Sequence, residues 1–516
     1  MILYPCTVRN SLVRGGKVPE PVGVVTSPSR IDSFDMLLLP GKSARKGEYC
    51  IFRHPLRQDI WCLGRIIGGR RWNPEVLPTA LTAMLFKMGY QLPPDREASL
   101  LDVEAIGYRD EEGFKSMDFP PAPGAEVYRA EPEMIRGFLR TAEGIQLWIG
   151  KDPYSGLDIS LSLDVITKGH LAICGMTRSG KSTFALTLIR EGVMRGARFL
   201  IFDRTGEYIQ PLTKAGVPCL VVDPSDFQGL AALSDEALAS MVGLSLQRSS
   251  GKVFVQVFRT LLEGGEKERL ADTEYVLELC ESKIPSSRYK QATLEELRYA
   301  FTKNRDRLEK LAQMREEPQN VVELLKTSPT VIVDMSRERL IVNQQVTVAT
   351  VLNQVFDFAT LTRGEEFTFL VVLEEAQFYA PERMVSYGDP YKTGSLEIVT
   401  SCLSQLGGFN VGFIVMTQRP AYVSKSVLSQ CNTFLSFRLM SDADHDQIAA
   451  VTGYPKYRVS SLLSGLEDHV GYLIGMASPF GFPTFVRTRE DRLYPQKATK
   501  TPSEVLASLN QASKIP

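Results

Sequence analysis

The segment from Gly175 to Ser182 has the residue types of a loop that binds phosphate groups. Its glycines, Gly175 and Gly180, let the backbone curl so that amide groups point at an anion. Lys181 can reach the β- and γ-phosphates of a nucleotide, and the Ser182 hydroxyl can bind Mg²⁺. The residues predicted to hold the nucleotide are Gly175, Thr177, Arg178, Ser179, Gly180, Lys181, Ser182 and Thr183. A predicted strand before this segment and a predicted helix after it favour a triphosphate site over an incidental glycine-rich turn.

Two adjacent carboxylates, Glu374 and Glu375, follow the apolar run Phe367–Leu373. An acidic residue at the end of a buried strand is where a phosphate-loop enzyme holds its magnesium. We therefore predict that Glu374 binds Mg²⁺ and that Glu375 activates the attacking water. The alternative is a pair of surface carboxylates in the first turn of the next helix.

Gln418 follows another apolar run, Val411–Met416, and its carboxamide is predicted to sense the γ-phosphate. An ordinary polar strand end is the alternative. Asp203 and Glu207 end a further strand of the same predicted sheet. They are interpreted either as groups that support the site or as part of a plain turn.

The elements that must position these residues predict an α/β fold. Short apolar runs alternate with helical stretches from about residue 145, which is typical of a mainly parallel sheet with its ligands at the carboxyl ends of the strands. Short strands between residues 20 and 69 predict a small N-terminal β-barrel. We predict a barrel and connection over 1–144, an ATPase core over 145–225 and 329–494, an inserted helical subdomain over 226–328, and a tail over 495–516. Within the insertion, Thr293 and Glu296 have the spacing of a capping box that opens a helix.

The composition excludes several classes of protein. With 59 Lys and Arg against 60 Asp and Glu, the net charge of −1 excludes a globally basic nucleic-acid binder. An apolar fraction of 44% with 23% charged residues excludes a largely disordered chain. The eight cysteines form no C-x-x-C pair, which argues against a zinc knuckle or a disulfide framework. No apolar run approaches the length of a membrane span, so we expect a cytoplasmic protein that does not bind a membrane.

The motifs together resemble the HerA family of hexameric DNA translocases, within the FtsK–HerA group of phosphate-loop ATPases. The resemblance rests on the segments 170–182, 203–208, 373–377, 417–420 and 427–433. It implies a RecA-like P-loop ATPase core with ATP and Mg²⁺ as cofactors, a homo-hexameric ring, and double-stranded DNA drawn through a central pore. It also implies a partner, either a NurA-like nuclease in DNA end processing or an effector in anti-phage defence.

One departure from the family pattern concerns an Arg-Lys pair whose arginine completes the neighbouring subunit's site. Gly407 and Gly408 stand at those positions. Either another arginine serves, with Arg383, Arg419 and Arg438 as candidates, or hydrolysis is slow. Three functional hypotheses follow: an ATP-dependent DNA translocase or helicase, an ATPase that drives conjugation or secretion, and a nucleotide-binding hexameric scaffold with weak or regulatory hydrolysis. We prefer the first, and the second is disfavoured because such ATPases normally carry a membrane anchor.

Overall fold

A computed structural model describes residues 20–73, 80–89, 97–140, 144–227, 229–230, 235–286, 289–382, 387–495 and 503. The strands are β1 Gly23–Val25, β2 Ser33–Leu38, β3 Tyr49–Arg53, β4 Trp61–Trp72, β5 Ala98–Asp110, β6 Gly113–Lys115, β7 Glu126–Arg129, β8 Gln146–Lys151, β9 Asp158–Ser162, β10 Leu171–Cys174, β11 Phe199–Asp203, β12 Leu220–Val222, β13 Thr330–Asp334, β14 Phe369–Leu373, β15 Val411–Thr417, β16 Thr433–Ser436, β17 Val470–Gly475 and β18 Thr484–Thr488. The helices are α1 Ala80–Lys87, α2 Pro132–Arg136, α3 Leu163–Gly169, α4 Lys181–Met194, α5 Ile209–Lys214, α6 Asp235–Met241, α7 Ser249–Glu263, α8 Thr273–Lys283, α9 Lys290–Lys303, α10 Arg305–Gln313, α11 Val321–Thr327, α12 Ile341–Thr362, α13 Ser395–Gln405, α14 Lys425–Leu428, α15 Asp442–Thr452 and α16 Lys456–Leu463.

The first strands form a closed antiparallel barrel. Six strands pair in the order β2-β1-β7-β3-β4-β5, and pairing of β5 with β2 closes the circle. Alternate residues of the strands face inward, so that side chains such as Phe34, Met36 and Phe52 fill the interior. The predicted N-terminal barrel is confirmed, and two of its strands, β5 and β7, lie beyond the residues 20–69 from which the barrel was predicted.

The chain folds as two compact units. The first contains the described residues up to Arg195 together with Cys431–Leu493, and the second contains Gly196–Gln430. In the first unit, β10 pairs with β16 in parallel, and β17, β18, β8 and β9 follow in antiparallel order. These antiparallel additions depart from the mainly parallel sheet that the sequence predicts.

A buried ion-pair network ties the barrel to later segments of the first unit. Arg65 on β4 is 1% exposed, forms a 2.7 Å ion pair with Glu104 on β5, and donates to the carbonyl oxygen of Pro483 at 2.8 Å. The second oxygen of Glu104 accepts from Arg458 on α16 at 2.8 Å. One buried carboxylate therefore neutralises two arginines from different parts of the unit.

The second unit contains a five-stranded parallel sheet. Its order is β12-β13-β11-β14-β15, and every pair in it is parallel. The strands β11, β14 and β15 are buried along their whole length, which explains their continuous apolar sequences. All five strands end at one edge, where the polar residues that follow them are brought together.

The helices α6 to α11 interrupt this sheet between β12 and β13, and α6 to α10 pack around an apolar core of their own, which includes Phe254, Phe258 and Phe301. The inserted helical subdomain in the predicted fold class is therefore confirmed. The predicted capping box is wrong, because α9 begins at Lys290 and Thr293 lies inside it. The Thr293 hydroxyl donates to the carbonyl oxygen of Tyr289, one turn back, at 3.0 Å.

The predicted α/β class is confirmed. The domain boundaries at 144/145, 225/226, 328/329 and 494/495 stay predictions, and the tail over 495–516 lies almost entirely outside the described residues. The seven cysteines in the described ranges are free thiols. No helix among those ranges is both long enough and apolar enough to cross a bilayer.

Candidate active site

The phosphate loop connects β10 to α4 in the first unit. Gly175 has φ +155° and Gly180 has φ +119°, a backbone region that favours glycine. A Cβ atom on Gly175 would lie 2.7 Å from both Phe437 Cβ and Ser179 Oγ. Because α4 begins at Lys181, the first N–H groups of that helix have no intrahelical acceptor and face the loop. These features fit a bound phosphate group.

Backbone hydrogen bonds fix the conformation of this loop. The Met176 N–H donates to the carbonyl oxygen of Arg438 at 2.9 Å, and the Ser179 carbonyl oxygen accepts from the His469 N–H at 2.9 Å. Inside the loop, Ser179 Oγ donates to the Met176 carbonyl oxygen at 2.7 Å. The Lys181 side chain is buried, with Nζ 3.5 Å from that same oxygen. The loop is therefore held in place by the segments around β16 and β17.

Glu374 is held by the turn that follows β11. Phe202 pairs with Leu373, so the next residues of these strands lie side by side. The Glu374 carboxylate is 4% exposed and accepts from the Arg204 N–H at 2.9 Å, the Thr205 N–H at 3.3 Å and Thr205 Oγ1 at 3.0 Å. The sequence left open whether Asp203 and Glu207 support the site or belong to a plain turn. The structure shows that this turn contacts Glu374 directly.

Asp203 closes the same turn and is fully buried. Its carboxylate accepts from the N–H groups of Gly206 at 2.7 Å and Tyr208 at 3.1 Å. Burial raises the pKa of Asp203, although these backbone donors oppose the shift. Burial raises the pKa of Glu374 well above its ordinary value, and the negative charges of Asp203 and Glu375 raise it further. This pair of carboxyls therefore favours a bound proton or an added cation.

Glu375 is the residue at which the backbone turns after β14. It has φ +54° and ψ +51°, an uncommon conformation for a residue other than glycine, and its side chain is 8% exposed. One carboxylate oxygen accepts from Gln377 Nε2 at 2.7 Å, and the other accepts from Gln418 Nε2. The structure thus brings two of the predicted catalytic residues, Glu375 and Gln418, into direct contact.

The sequence reasoning missed Gln377 and Thr417 as members of this group. Thr417 Oγ1 donates to Gln377 Oε1 at 2.8 Å, and Gln377 in turn donates to Glu375. Both residues are buried, so each hydrogen bond replaces water that the group would otherwise bind. Their signal in the sequence is only their position beside Glu375 and Gln418.

The predicted binding and metal residues divide between the units. The phosphate-loop residues, including Lys181 and Ser182, belong to the first unit, while Glu374, Glu375 and Gln418 belong to the second. No three His, Cys, Asp or Glu side chains within the described ranges form a cation site of their own. A cation that takes most of its ligands from phosphate oxygens and water does not need such a cluster. One hydroxyl and one carboxylate, those of Ser182 and Glu374, therefore fit a magnesium–nucleotide complex.

The candidate arginines differ in their surroundings. Arg438 forms a 2.6 Å ion pair with Asp468. The Arg419 guanidinium lies 4.3 Å from the centre of the Tyr422 ring. Arg383 lies outside the described residues. Gly407 and Gly408 occupy one short 3-10 turn, and a Cβ on Gly408 would meet no atom within 4 Å.

Comparison with known families assigns the segment that contains the phosphate loop. Residues 147–355 match the family model described as "Helicase HerA, central domain". The chain is HerA-like. This match confirms the predicted resemblance and, with it, the P-loop ATP hydrolase class of enzyme.

Two curated proteins illustrate the similarity of the HerA-like chain to known relatives. A probable helicase of Methanocaldococcus jannaschii is 23% identical over 375 residues, which cover 64% of this chain and 64% of that protein. The DNA double-strand break repair helicase HerA of Pyrococcus furiosus is 21% identical over 525 residues, which cover 91% and 92%. The chain thus spans about two thirds of the first relative and nearly all of the second.

Among solved structures, the bacterial conjugative coupling protein TrwB aligns with 72% of the HerA-like chain. The alignment covers 94% of TrwB at 12% identity, with a TM-score of 0.41.

Proposed function

We propose that this HerA-like chain is an ATP-dependent translocase or helicase on double-stranded DNA. The phosphate loop carries the proposal, because its left-handed glycines and buried lysine fit a nucleoside triphosphate and it lies in the segment that matches HerA. Its relatives include a DNA double-strand break repair helicase, which supports DNA as the polymer on which it acts.

Each predicted site residue receives a role in ATP hydrolysis. Lys181 binds the β- and γ-phosphates, and the loop residues 175–183 cradle them through backbone N–H groups. Ser182 and Glu374 would hold Mg²⁺, which supplies charge neutralisation when it is bound.

Glu375 accepts the proton of the attacking water. The water oxygen forms a bond to the γ-phosphorus, the bond to the β,γ-bridging oxygen breaks, and ADP leaves with that electron pair. Gln418 orients the Glu375 carboxylate through the hydrogen bond between them.

The assembly and the partners are part of the proposal. The chain acts in the cytoplasm as a homo-hexameric ring, together with a NurA-like nuclease in DNA end processing or with an effector in anti-phage defence. Its net charge of −1 is compatible with this role, because a ring that encloses DNA needs only a few cations in its pore.

A second candidate function is a nucleotide-binding hexameric scaffold for a defence effector, with weak or regulatory hydrolysis. The feature that favours it is Gly407–Gly408. An arginine that acts on the γ-phosphate contributes on the order of 10³–10⁵ in rate in other phosphate-loop enzymes. Without such a residue, nucleotide binding would remain while turnover would be slow.

The experiment that tests the proposal is ATP turnover by the purified chain, with and without linear duplex DNA. We expect DNA to stimulate turnover, and we expect Lys181→Ala and Glu375→Gln each to abolish it. Arg298→Ala, which removes an exposed charge on α9, is the control and should behave as the wild type. Slow turnover that DNA does not stimulate, in a chain that still binds ATP, would favour the scaffold instead.

A further inference from the structure

The Arg204 side chain is held rigidly at the carboxyl edge of the parallel sheet of the second unit. Its Nε donates to Gln344 Oε1 at 3.1 Å, and its guanidinium carbon lies 3.8 Å from the centre of the Phe378 ring. Gln344 is 3% exposed and donates to the Glu338 carbonyl oxygen at 2.6 Å. One edge and one face of the guanidinium are therefore fixed by neutral partners.

The aromatic face under Arg204 is itself fixed. Gln345, which is fully buried, donates to the carbonyl oxygens of Phe378 at 2.7 Å and Tyr387 at 2.8 Å. The rings of Phe378 and Tyr387 lie 4.7 Å apart. Because the platform is anchored through its backbone, stacking on it restricts the rotamers of Arg204 before any ligand binds.

No carboxylate among the described residues forms an ion pair with the Arg204 side chain. No ion pair between described residues includes it, and its two terminal amino groups donate to none of those residues. The Glu374 carboxylate instead accepts from the Arg204 backbone N–H. By contrast, Arg65, Arg458 and Arg489 each pair with at least one carboxylate.

A second observation marks the same place. The Tyr379 hydroxyl is fully buried and has no hydrogen-bond partner among the described residues. Burial and the charge of Glu374 raise the pKa of Tyr379, whereas the charge of Arg204 opposes that shift. A buried hydroxyl without a partner indicates a group that is still to be bound there, such as a ligand or a water molecule.

We propose that the terminal amino groups of Arg204 bind a phosphate group of the nucleoside triphosphate and stabilise the charge that develops on it during hydrolysis. A planar, stacked guanidinium whose terminal amino groups bond to none of the described residues matches phosphate geometry, whereas lysine offers only a point charge. This inference rests on the proposed ATP hydrolysis. It assigns the role of the phosphate-binding arginine to Arg204 and not to Arg383, Arg419 or Arg438, the candidates from the sequence.

The test measures kcat and KM for ATP, nucleotide affinity and duplex-DNA affinity for the wild type, Arg204→Ala and Arg204→Lys. We expect Arg204→Ala to lower kcat at least 100-fold with its melting temperature and DNA affinity unchanged. Arg204→Lys should recover less than a tenth of the loss. Millimolar guanidinium should raise the kcat of Arg204→Ala at least fivefold, which a merely structural role does not predict.

The outcomes separate this inference from the proposed function. If the wild type hydrolyses ATP and both variants match it, the inference is overturned while the proposed function stands. A weaker DNA affinity at unchanged basal kcat would assign Arg204 to the DNA backbone and would also overturn the inference. If the alanine variant does not fold, Arg204→Lys decides, because a lysine variant with wild-type kcat contradicts the need for a guanidinium.

Discussion

Gln418 donates a hydrogen bond from its side-chain amide to a carboxylate oxygen of Glu375. The two residues follow neighbouring parallel strands, and Gln377 donates to the other oxygen of the same carboxylate. A residue that takes a proton from water must be held in one orientation, and two amide donors restrict Glu375 in this way. The contact therefore makes Gln418 a positioning residue for the proposed base.

This arrangement predicts different effects for Glu375 and Gln418 on ATP turnover. Glu375→Gln should lower kcat by about 10²–10⁴, the range for loss of a general base, with KM nearly unchanged. Gln418→Ala should lower kcat less, by about tenfold, because the Glu375 carboxylate would lose one of the two donors that hold it in one orientation. Steady-state kinetics of ATP turnover measure both effects. A wild-type kcat for Gln418→Ala would contradict the positioning role.

The raised pKa of Glu374 predicts how stability depends on pH. Folding moves the pKa of this carboxyl upward from its ordinary value of 4.5, so the folded chain binds more protons. Its contribution to stability is fully present below the unfolded pKa and is lost as the pH rises toward the folded pKa. Glu374→Gln should therefore raise the melting temperature of the nucleotide-free protein at pH 8 by about 2 °C or more.

The control for this prediction is the same pair of proteins at pH 4.5, where the difference in melting temperature should shrink. Differential scanning calorimetry across this range measures it. A glutamine variant that is less stable than the wild type at pH 8 would show that the buried carboxylate is fully compensated by its donors.

The geometry of the phosphate loop predicts the effect of adding one methyl group. Gly175→Ala places a Cβ 2.7 Å from Phe437 Cβ and Ser179 Oγ, so the loop must shift. We expect nucleotide affinity to fall at least tenfold, as measured by titration with a fluorescent ATP analogue. Gly408→Ala is the matched control, because a Cβ there meets no atom and should leave the affinity unchanged. Equal affinities for the two variants would contradict the assignment of the loop.

The Glu104 carboxylate, which two arginines share, predicts that the stability of the first unit depends strongly on this one charge. Glu104→Gln leaves Arg65, which is 1% exposed, without a negative partner, while Arg458 keeps only its ion pair with Asp32. Removal of one partner from a buried ion pair costs about 3–5 kcal/mol of unfolding free energy. Arg70→Ala breaks an exposed pair with Asp35 and should change stability by less than about 1 kcal/mol. Urea denaturation measures the free energy of unfolding of both variants. Similar losses in the two variants would contradict a large contribution of the buried ion pair to stability.

Much of the site is predictable because its residues follow simple local rules. The spacing of the glycines and Lys181 is enough to identify the phosphate loop. Parallel strands all end at the same edge of their sheet. That rule places Asp203 beside Glu374 and Gln418 near Glu375 without any knowledge of side-chain contacts.

The other contacts of the site depend on tertiary geometry, which no local sequence pattern indicates. Gln377 reaches Glu375 only because Glu375 adopts a left-handed conformation, and Arg204 stacks on Phe378 only because distant segments meet. Thr293 and Glu296 have the spacing of a helix start, yet α9 begins three residues before Thr293, at Lys290. The antiparallel strands β8, β9 and β18 are short, and they join the sheet through the pairing of β18 with β8, which is distant in sequence, so periodicity alone does not indicate their place.

The most direct test of the central claim is whether ATP hydrolysis moves the chain along duplex DNA. A triplex-forming strand, annealed to a linear duplex, reports translocation when it is displaced. We predict displacement that requires ATP and is lost in Lys181→Ala and Glu375→Gln. Steady ATP consumption on this substrate, with no displacement above that of the Lys181→Ala variant, would contradict the account.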